Sequence, residues 1–147
     1  MIKINFKIAT PERVVYKDEV DAITLPTQSG EITILPNHLP LISVLKPGEI
    51  VIKKGNEMLA IAVSGGFIEV LSTKVVVLAD TAERSEEIDV ARAEAAVKRA
   101  RTLREEKLTD SREFAKVSAL IEKEMTRVKV GRKFRQRIDR QSVNRNI

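Results

Sequence analysis

The chain has no cysteine and no tryptophan, a single histidine, and only four Phe and one Tyr among its 147 residues. Without cysteine there are no disulfides, no thiolate zinc ligands and no thiol nucleophile. One histidine, His38, is too few for a histidine-based metal site. No stretch approaches the ~18–20 apolar residues that a bilayer-crossing helix requires. The opening MIKINFKIA alternates apolar with polar residues, so it lacks the apolar core of a secretory signal and the Arg/Ser-rich character of a transit peptide. Acidic and basic residues nearly cancel over most of the chain. Of the net +5, residues 127–147 carry +7, from eight Lys/Arg against Asp139 alone, which leaves −2 on the first 126 residues. An argument about an acidic partner is therefore an argument about this tail. The contents are those of a cytosolic protein, with docking on a membrane complex still open.

What is present changes character along the stretch Leu78–Ala93 (LADTAERSEEIDVARA). Before it, apolar residues recur in steps of two. Ile2, Ile4, Phe6 and Ile8 share one face of a strand, with Lys3, Asn5 and Lys7 on the other. Thr10-Pro11-Glu12 turns the chain, and Val14 to Leu25 reads as one long or bent strand ended by Pro26. Gln28-Ser29-Gly30, the loop Pro36–Pro40, Lys46-Pro47-Gly48, Gly55-Asn56, Ser64-Gly65-Gly66 and Ser72-Thr73 separate further apolar runs ending at Ala79. Gly55-Asn56 is a two-residue hairpin signal. Eight or more short strands with turns every eight to ten residues predict a largely antiparallel β-sandwich or flattened barrel with an Ile/Val/Leu core.

From Ile88 the spacing becomes three and four. Val90, Ala93, Val97, Ala100 and Leu103 form one helical stripe, thin because much of it is alanine. Leu108-Thr109 breaks the pattern, and Asp110 with Glu113 three residues on is close to a capping box. Phe114, Val117, Ile121, Met125 and Val128 define a second stripe. The expected fold is α+β: an N-terminal antiparallel β-sandwich (1–84), a C-terminal two-helix hairpin (85–130) and a basic extension (131–147). Two thin stripes make a hairpin that is marginal alone, since isolated helices of this length are barely stable in water. Asp80 to Glu87 is the expected hinge.

The residues offer few chemical sites. His38 lacks the nucleophile and orienting acid of a hydrolase, and no Gly-x-Ser-x-Gly element accompanies it. Ser64-Gly65-Gly66 enters a strand and not a helix, and no Gly-x-x-x-x-Gly-Lys-Ser/Thr occurs, so a close backbone approach accounts for it better than a phosphate loop. Asp89, Arg92 and Arg99 share one helix face, the two arginines about 10 Å apart along the axis. That spacing suits a polyphosphate, with Asp89 or Glu83 accepting from an adenine amino group or a ribose hydroxyl. From the residues alone, ordinary helix-start chemistry is the better account of Asp89, because a first-turn carboxylate is favoured by the helix dipole. The basic tail suggests an alternative function, a small nucleic-acid-binding module, but no aromatic stacking platform accompanies its arginines.

Thr24-Leu25-Pro26, then Gly30 to Leu41 (GEITILPNHLPL), Leu45-Lys46-Pro47-Gly48, Ser64-Gly65-Gly66-Phe67 and Val77 to Ala82 (VLADTA), in that order, resemble the epsilon subunit of the rotary F-type ATP synthase of bacteria. The likeness covers about residues 2–128. Thr33 departs from it, standing where the family usually has glycine, and so does the length of the basic extension. The resemblance implies a non-catalytic subunit of the central stalk in a proton- or sodium-translocating synthase. It would lie peripherally at the cytoplasmic face of the cell membrane, with contact to the bilayer only through the complex. The sandwich would dock on the gamma subunit and the ring of c-subunits, with Glu31 and His38 at the interface. The hairpin would extend along gamma toward the catalytic beta and alpha subunits and restrain ATP hydrolysis. Nucleic acid is not an expected partner. No obligatory cofactor is implied. Epsilon subunits that bind a regulatory ATP carry Ile/Leu-Asp-x-x-Arg-Ala, matched here by Ile88, Asp89, Arg92 and Ala93, with Glu83 and Arg99 where that group places further ligands.

Overall fold

The computed structural model describes residues 2–106 and 109–145. The chain divides into two compact units, Met1–Arg84 and Ser85–Ile147. The first holds ten strands: β1 Ile4–Ala9, β2 Val14–Val20, β3 Ala22–Thr27, β4 Gly30–Ile34, β5 Leu41–Leu45, β6 Gly48–Lys54, β7 Glu57–Val63, β8 Gly66–Val70, β9 Lys74–Ala79 and β10 Ala82–Arg84. They run in the order β10-β7-β6-β3-β5-β8-β9-β1-β2, with β4 paired to β3. All pairings are antiparallel except β1 with β9, which run parallel. The period-two pattern explains the core. Ile4, Phe6 and Ile8 are buried on β1, as are Ile23 and Leu25 on β3, Ile50 and Ile52 on β6, and Val75 and Val77 on β9. Ile2, assigned to the same face, precedes the strand and is exposed.

The expected single strand from Val14 to Leu25 is two strands broken at Asp21. The Asp21 carboxylate accepts hydrogen bonds from the Gly55 amide (2.6 Å) and from the Lys3 ammonium, and its own N–H donates to the Lys53 carbonyl. These bonds fix the corner more firmly than the apolar pattern suggests. Pro26 does not end the run but sits inside β3 opposite Glu31, and its carbonyl accepts from the Lys46 N–H (2.9 Å). Thr33 occupies an ordinary ladder position opposite Thr24, and the two hydroxyls hydrogen-bond at 2.9 Å. A β-branched residue there favours the extended strand.

Gly66 shows why glycine is needed at the entry to β8. Its φ is +139°, and a Cβ would stand 2.0 Å from the Leu78 carbonyl oxygen. The backbone of β9 therefore approaches too closely for any side chain. Residues 80–84, expected as part of a hinge, are tied into the first unit. Asp80 N–H donates to the Gly65 carbonyl, Thr81 Oγ1 lies 2.7 Å from Ser64 Oγ, and β10 pairs with β7. Arg84 closes the unit, its guanidinium donating to the Val15 carbonyl and lying 5.8 Å from the centre of the Tyr16 ring.

The second unit opens with a 3₁₀ turn, Ser85–Glu87, followed by α1 (Val90–Glu106) and α2 (Ser111–Arg145). Leu108, placed at the helix break, lies outside the described residues. Asp110 Oδ1 accepts from the N–H groups of Arg112 (3.0 Å) and Glu113 (3.2 Å), which makes it the cap of α2. The two helices pack through Ala100, Val117 and Ile121. Ala93 is also buried, whereas Leu103, Phe114 and Met125 from the expected stripes are exposed. Arg132 donates to Glu94 across the hairpin, and Glu124 pairs with Arg127 at 2.7 Å. Gly131 lies against the start of α1, where a Cβ would come within 2.6 Å of Val90 Cγ2 and 2.9 Å of Ile88 Cγ2.

The basic extension expected from residue 131 is not a separate element. α2 continues through it to Arg145 as one helix of 35 residues, about 50 Å long. No proline follows Gly131, and Arg, Lys and Gln are good helix formers, so nothing local stops the helix.

Candidate functional site

Five of the six residues assigned to ATP lie on and just before the first turns of α1. Asp89 is the N-cap: its Oδ1 accepts from the Arg92 N–H at 3.1 Å, and its carbonyl accepts from the Ala93 N–H at 3.0 Å. One carboxylate oxygen is thus committed to the helix, leaving Oδ2 to accept from a ligand. Ile88 and Ala93 are buried, so they brace the turn by packing and present no polar group. Arg92 and Arg99 are exposed on one face of α1, two turns apart, and neither has an ion-pair partner among the described residues. The structure therefore brings together a cap and two available guanidiniums. Glu83 belongs to the other unit, half-buried on β10 opposite Ala62.

Glu31, exposed, is the second residue of β4, and His38 lies in the loop after that strand. Asn37 takes a left-handed conformation (φ +64°), with its N–H on the Ser72 carbonyl. The His38 Nδ1–H donates to the Leu39 carbonyl at 2.7 Å. Beside it, Leu35 and Leu39 are exposed, Leu39 by 80%.

One feature that residue-by-residue reading missed is apolar. On the outer face of β5-β8-β9, Val44 stands opposite Phe67 and Phe67 opposite Leu78. Ile42, two residues before Val44 on β5, shares this face; it is 75% exposed, Phe67 60% and Leu78 58%. A shallow depression of about 240 Å³ runs between Ile42, Phe67, Val76 and Leu78, with Glu69 at its edge. The signal lay in the continuous apolar run Val75–Ala79. A strand with one solvated face should alternate, and this one does not.

The sandwich carries the shifted carboxylates. A hydrogen bond from Lys54 and the Glu19 N–H hold Asp18 below the usual carboxylate range, and Lys3 with the Gly55 N–H do the same for Asp21. Lys54 is raised by its bond to Asp18. Burial, with the nearby Asp18 charge, raises the Tyr16 phenol. The Asp18–Lys54 and Asp21–Lys3 pairs tie β2 and its corner to neighbouring segments of the sandwich.

Comparison with known proteins agrees with this architecture. Residues 3–85 match the family described as ATP synthase, delta/epsilon chain, beta-sandwich domain, and residues 86–131 match the corresponding long alpha-helix domain. Residues 132–147 lie beyond both matches. An ATP synthase epsilon chain from Dehalococcoides mccartyi is 45% identical over 135 residues, covering 92% of this chain and 96% of the relative. One from Chloroflexus aggregans is 54% identical over 93 residues, 63% of this chain and 67% of the relative. Among solved structures, a chain of the Euglena gracilis mitochondrial ATP synthase (OSCP/F1/c-ring) has the same fold, with a TM-score of 0.72 at 24% identity over 83% of this chain and 77% of that one. With the sandwich and the helix pair both matched in order, the chain belongs to the delta/epsilon family of the ATP synthase, as an epsilon-type, non-catalytic subunit of that complex.

Proposed function

We propose that this subunit links gamma to the ring of c-subunits in the rotor of a proton- or sodium-translocating synthase and restrains ATP hydrolysis through its helices. The observation that carries the reading is the exposed row Ile42, Val44, Phe67 and Leu78. Apolar side chains left in water across three adjacent strands mark a partner surface, because burying them is worth about 25 cal/mol per Å². Gamma is the partner assigned to this face. The loop carrying His38, Leu35 and Leu39, together with Glu31, is assigned to the c-ring. On this reading the subunit sits peripherally, on the cytoplasmic face of the cell membrane. No helix among the described residues is long and apolar enough to cross a bilayer.

In the inhibitory state the hairpin extends toward the catalytic beta and alpha subunits, and the basic length of α2 meets acidic surface there. Regulatory ATP at Arg92, Arg99 and the free oxygen of Asp89 opposes that state by favouring the folded hairpin. Such a ligand shifts the balance only by its differential affinity, about 2.7 kcal/mol at a hundredfold excess over Kd.

The test reconstitutes the subunit with a gamma–c-ring assembly and the catalytic head. Phe67→Asp should weaken assembly at least tenfold, and ending the chain after residue 86 should leave assembly intact while raising the ATPase rate. If Phe67→Asp assembles normally, the docking face is wrong; if truncation leaves the rate unchanged, the restraint is wrong. For the switch, calorimetry should show saturable ATP binding that Arg92→Ala removes.

A further inference from the structure

The hairpin has a second side. Arg101 follows Arg92 by nine residues, which at about 100° per residue places it on the opposite face of α1. On that side α1 and α2 enclose a groove of about 620 Å³, within the 300–1,000 Å³ range of small-molecule pockets. Its floor is Val97, Met125 and Val128, and its rim carries Arg101, Lys129, Arg132 and Lys133. The acid lining it, Glu94, is engaged by the Nε and Nη2 groups of Arg132, so that pair is internally neutralised. Arg101 and Lys129 have no carboxylate partner among the described residues. Arg101 donates to the Met125 sulfur at 3.9 Å. Two uncompensated cations above an apolar floor is the composition of a site for an anion that carries an apolar body.

We propose that this groove binds a phosphate ester whose phosphate sits on Arg101 and Lys129 and whose apolar part lies over Val97, Met125 and Val128. Phosphate suits the pair because guanidinium and ammonium both donate to its oxygens, and Met125 adapts to an irregular apolar partner. The site goes beyond the regulatory reading above: it shares no residue with Asp89, Arg92 and Arg99, and either stands if the other fails. The same chemistry is offered by a nucleotide and by an anionic lipid.

The test uses the full chain with two probes, ADP and a short-chain phosphatidic acid below its micelle concentration, followed by NMR on the Met125 methyl group and by calorimetry. One probe at least should bind saturably, shift the Met125 methyl, weaken tenfold or more in the Arg101→Gln/Lys129→Gln double variant, and bind unchanged in Arg92→Ala. ADP alone behaving so identifies a nucleotide, and the lipid alone an anionic lipid. Both substitutions are at exposed positions, and an unchanged helical circular dichroism confirms the fold. The proposal fails if neither probe saturates, if the Met125 methyl does not shift, or if Arg92→Ala abolishes binding while the double variant retains it.

Discussion

The two units bury very different material. The sandwich encloses Phe6, Tyr16 and a dense set of Ile, Leu and Val contributed by nearly every strand. The hairpin closes largely over small side chains, Ala93, Ala100, Val90 and Val117, with Ile121 among the few large ones. At about 0.8 kcal/mol per buried methylene, an alanine seam yields little, while its smallness lets the helix axes come close. The first unit is thus built to hold one shape, and the second can be moved by a ligand or a partner worth only a few kcal/mol. On the function proposed above, this division separates a dock that holds its shape from an arm that can move.

The comparison breaks most plainly at Phe6, which is 1% exposed and lies 5.9 Å from the Tyr16 ring centre to centre. Phe6→Ala should cost about 3–5 kcal/mol, transfer and cavity terms together. Denaturant unfolding followed by strand-specific hydrogen exchange should show the loss throughout the sandwich. A loss below about 1 kcal/mol would mean that the core around β1 collapses onto the gap and is less rigid than its packing implies.

A smaller change at the other unit should leave the sandwich untouched. Gly131→Ala places a methyl where Val90 and Ile88 already stand within 2.9 Å. Overpacking of this kind costs about 1–3 kcal/mol; the higher helix propensity of alanine returns about 1 kcal/mol. The net should be faster amide exchange along α1 and the adjoining part of α2, with β-strand exchange unchanged. Faster exchange in both units would show that the two lose structure together. Unchanged exchange everywhere would show that the Ile88–Val90 corner yields without cost.

How much of this was readable in advance follows the same divide. Strand periodicity gives the buried face directly, since Ile4, Phe6 and Ile8 can point only one way once β1 is extended. Asp21 escaped because its role rests on Lys3, Gly55 and Lys53, distant partners that no local pattern reveals. In the hairpin, Leu103 and Phe114 fit the helical stripe yet stay exposed, because three- and four-residue spacing defines a face broader than the narrow seam in use. The boundary expected at residue 131 falls on a glycine, a residue common just past helix ends. Its function is instead close packing, visible only once Ile88 and Val90 are placed beside it. The cap at Asp89 was legible from its position before Val90; the groove beside Arg101 was not, since it needs residues 94–101 and 125–136 from opposite ends of the unit.

The smallest expected effect sharpens the comparison from the surface of the sandwich. Asp21 is half-buried, and its hydrogen bonds from Lys3 and the Gly55 N–H hold its pKa below the ordinary carboxylate value. A carboxyl with a depressed folded-state pKa stabilises the fold fully above its unfolded pKa of about 3.9, and that contribution disappears as pH falls through the folded value. Asp21→Asn should therefore lower the Tm slightly and by a constant amount between about pH 5 and 7, with the gap from the parent closing below about pH 4. The corresponding gap for Gly131→Ala, which removes no charge, should not change with pH in that way. A Tm difference for Asp21→Asn that persists at pH 2 would assign the corner to amide geometry at Gly55 and Lys53, because charge would then contribute nothing to it.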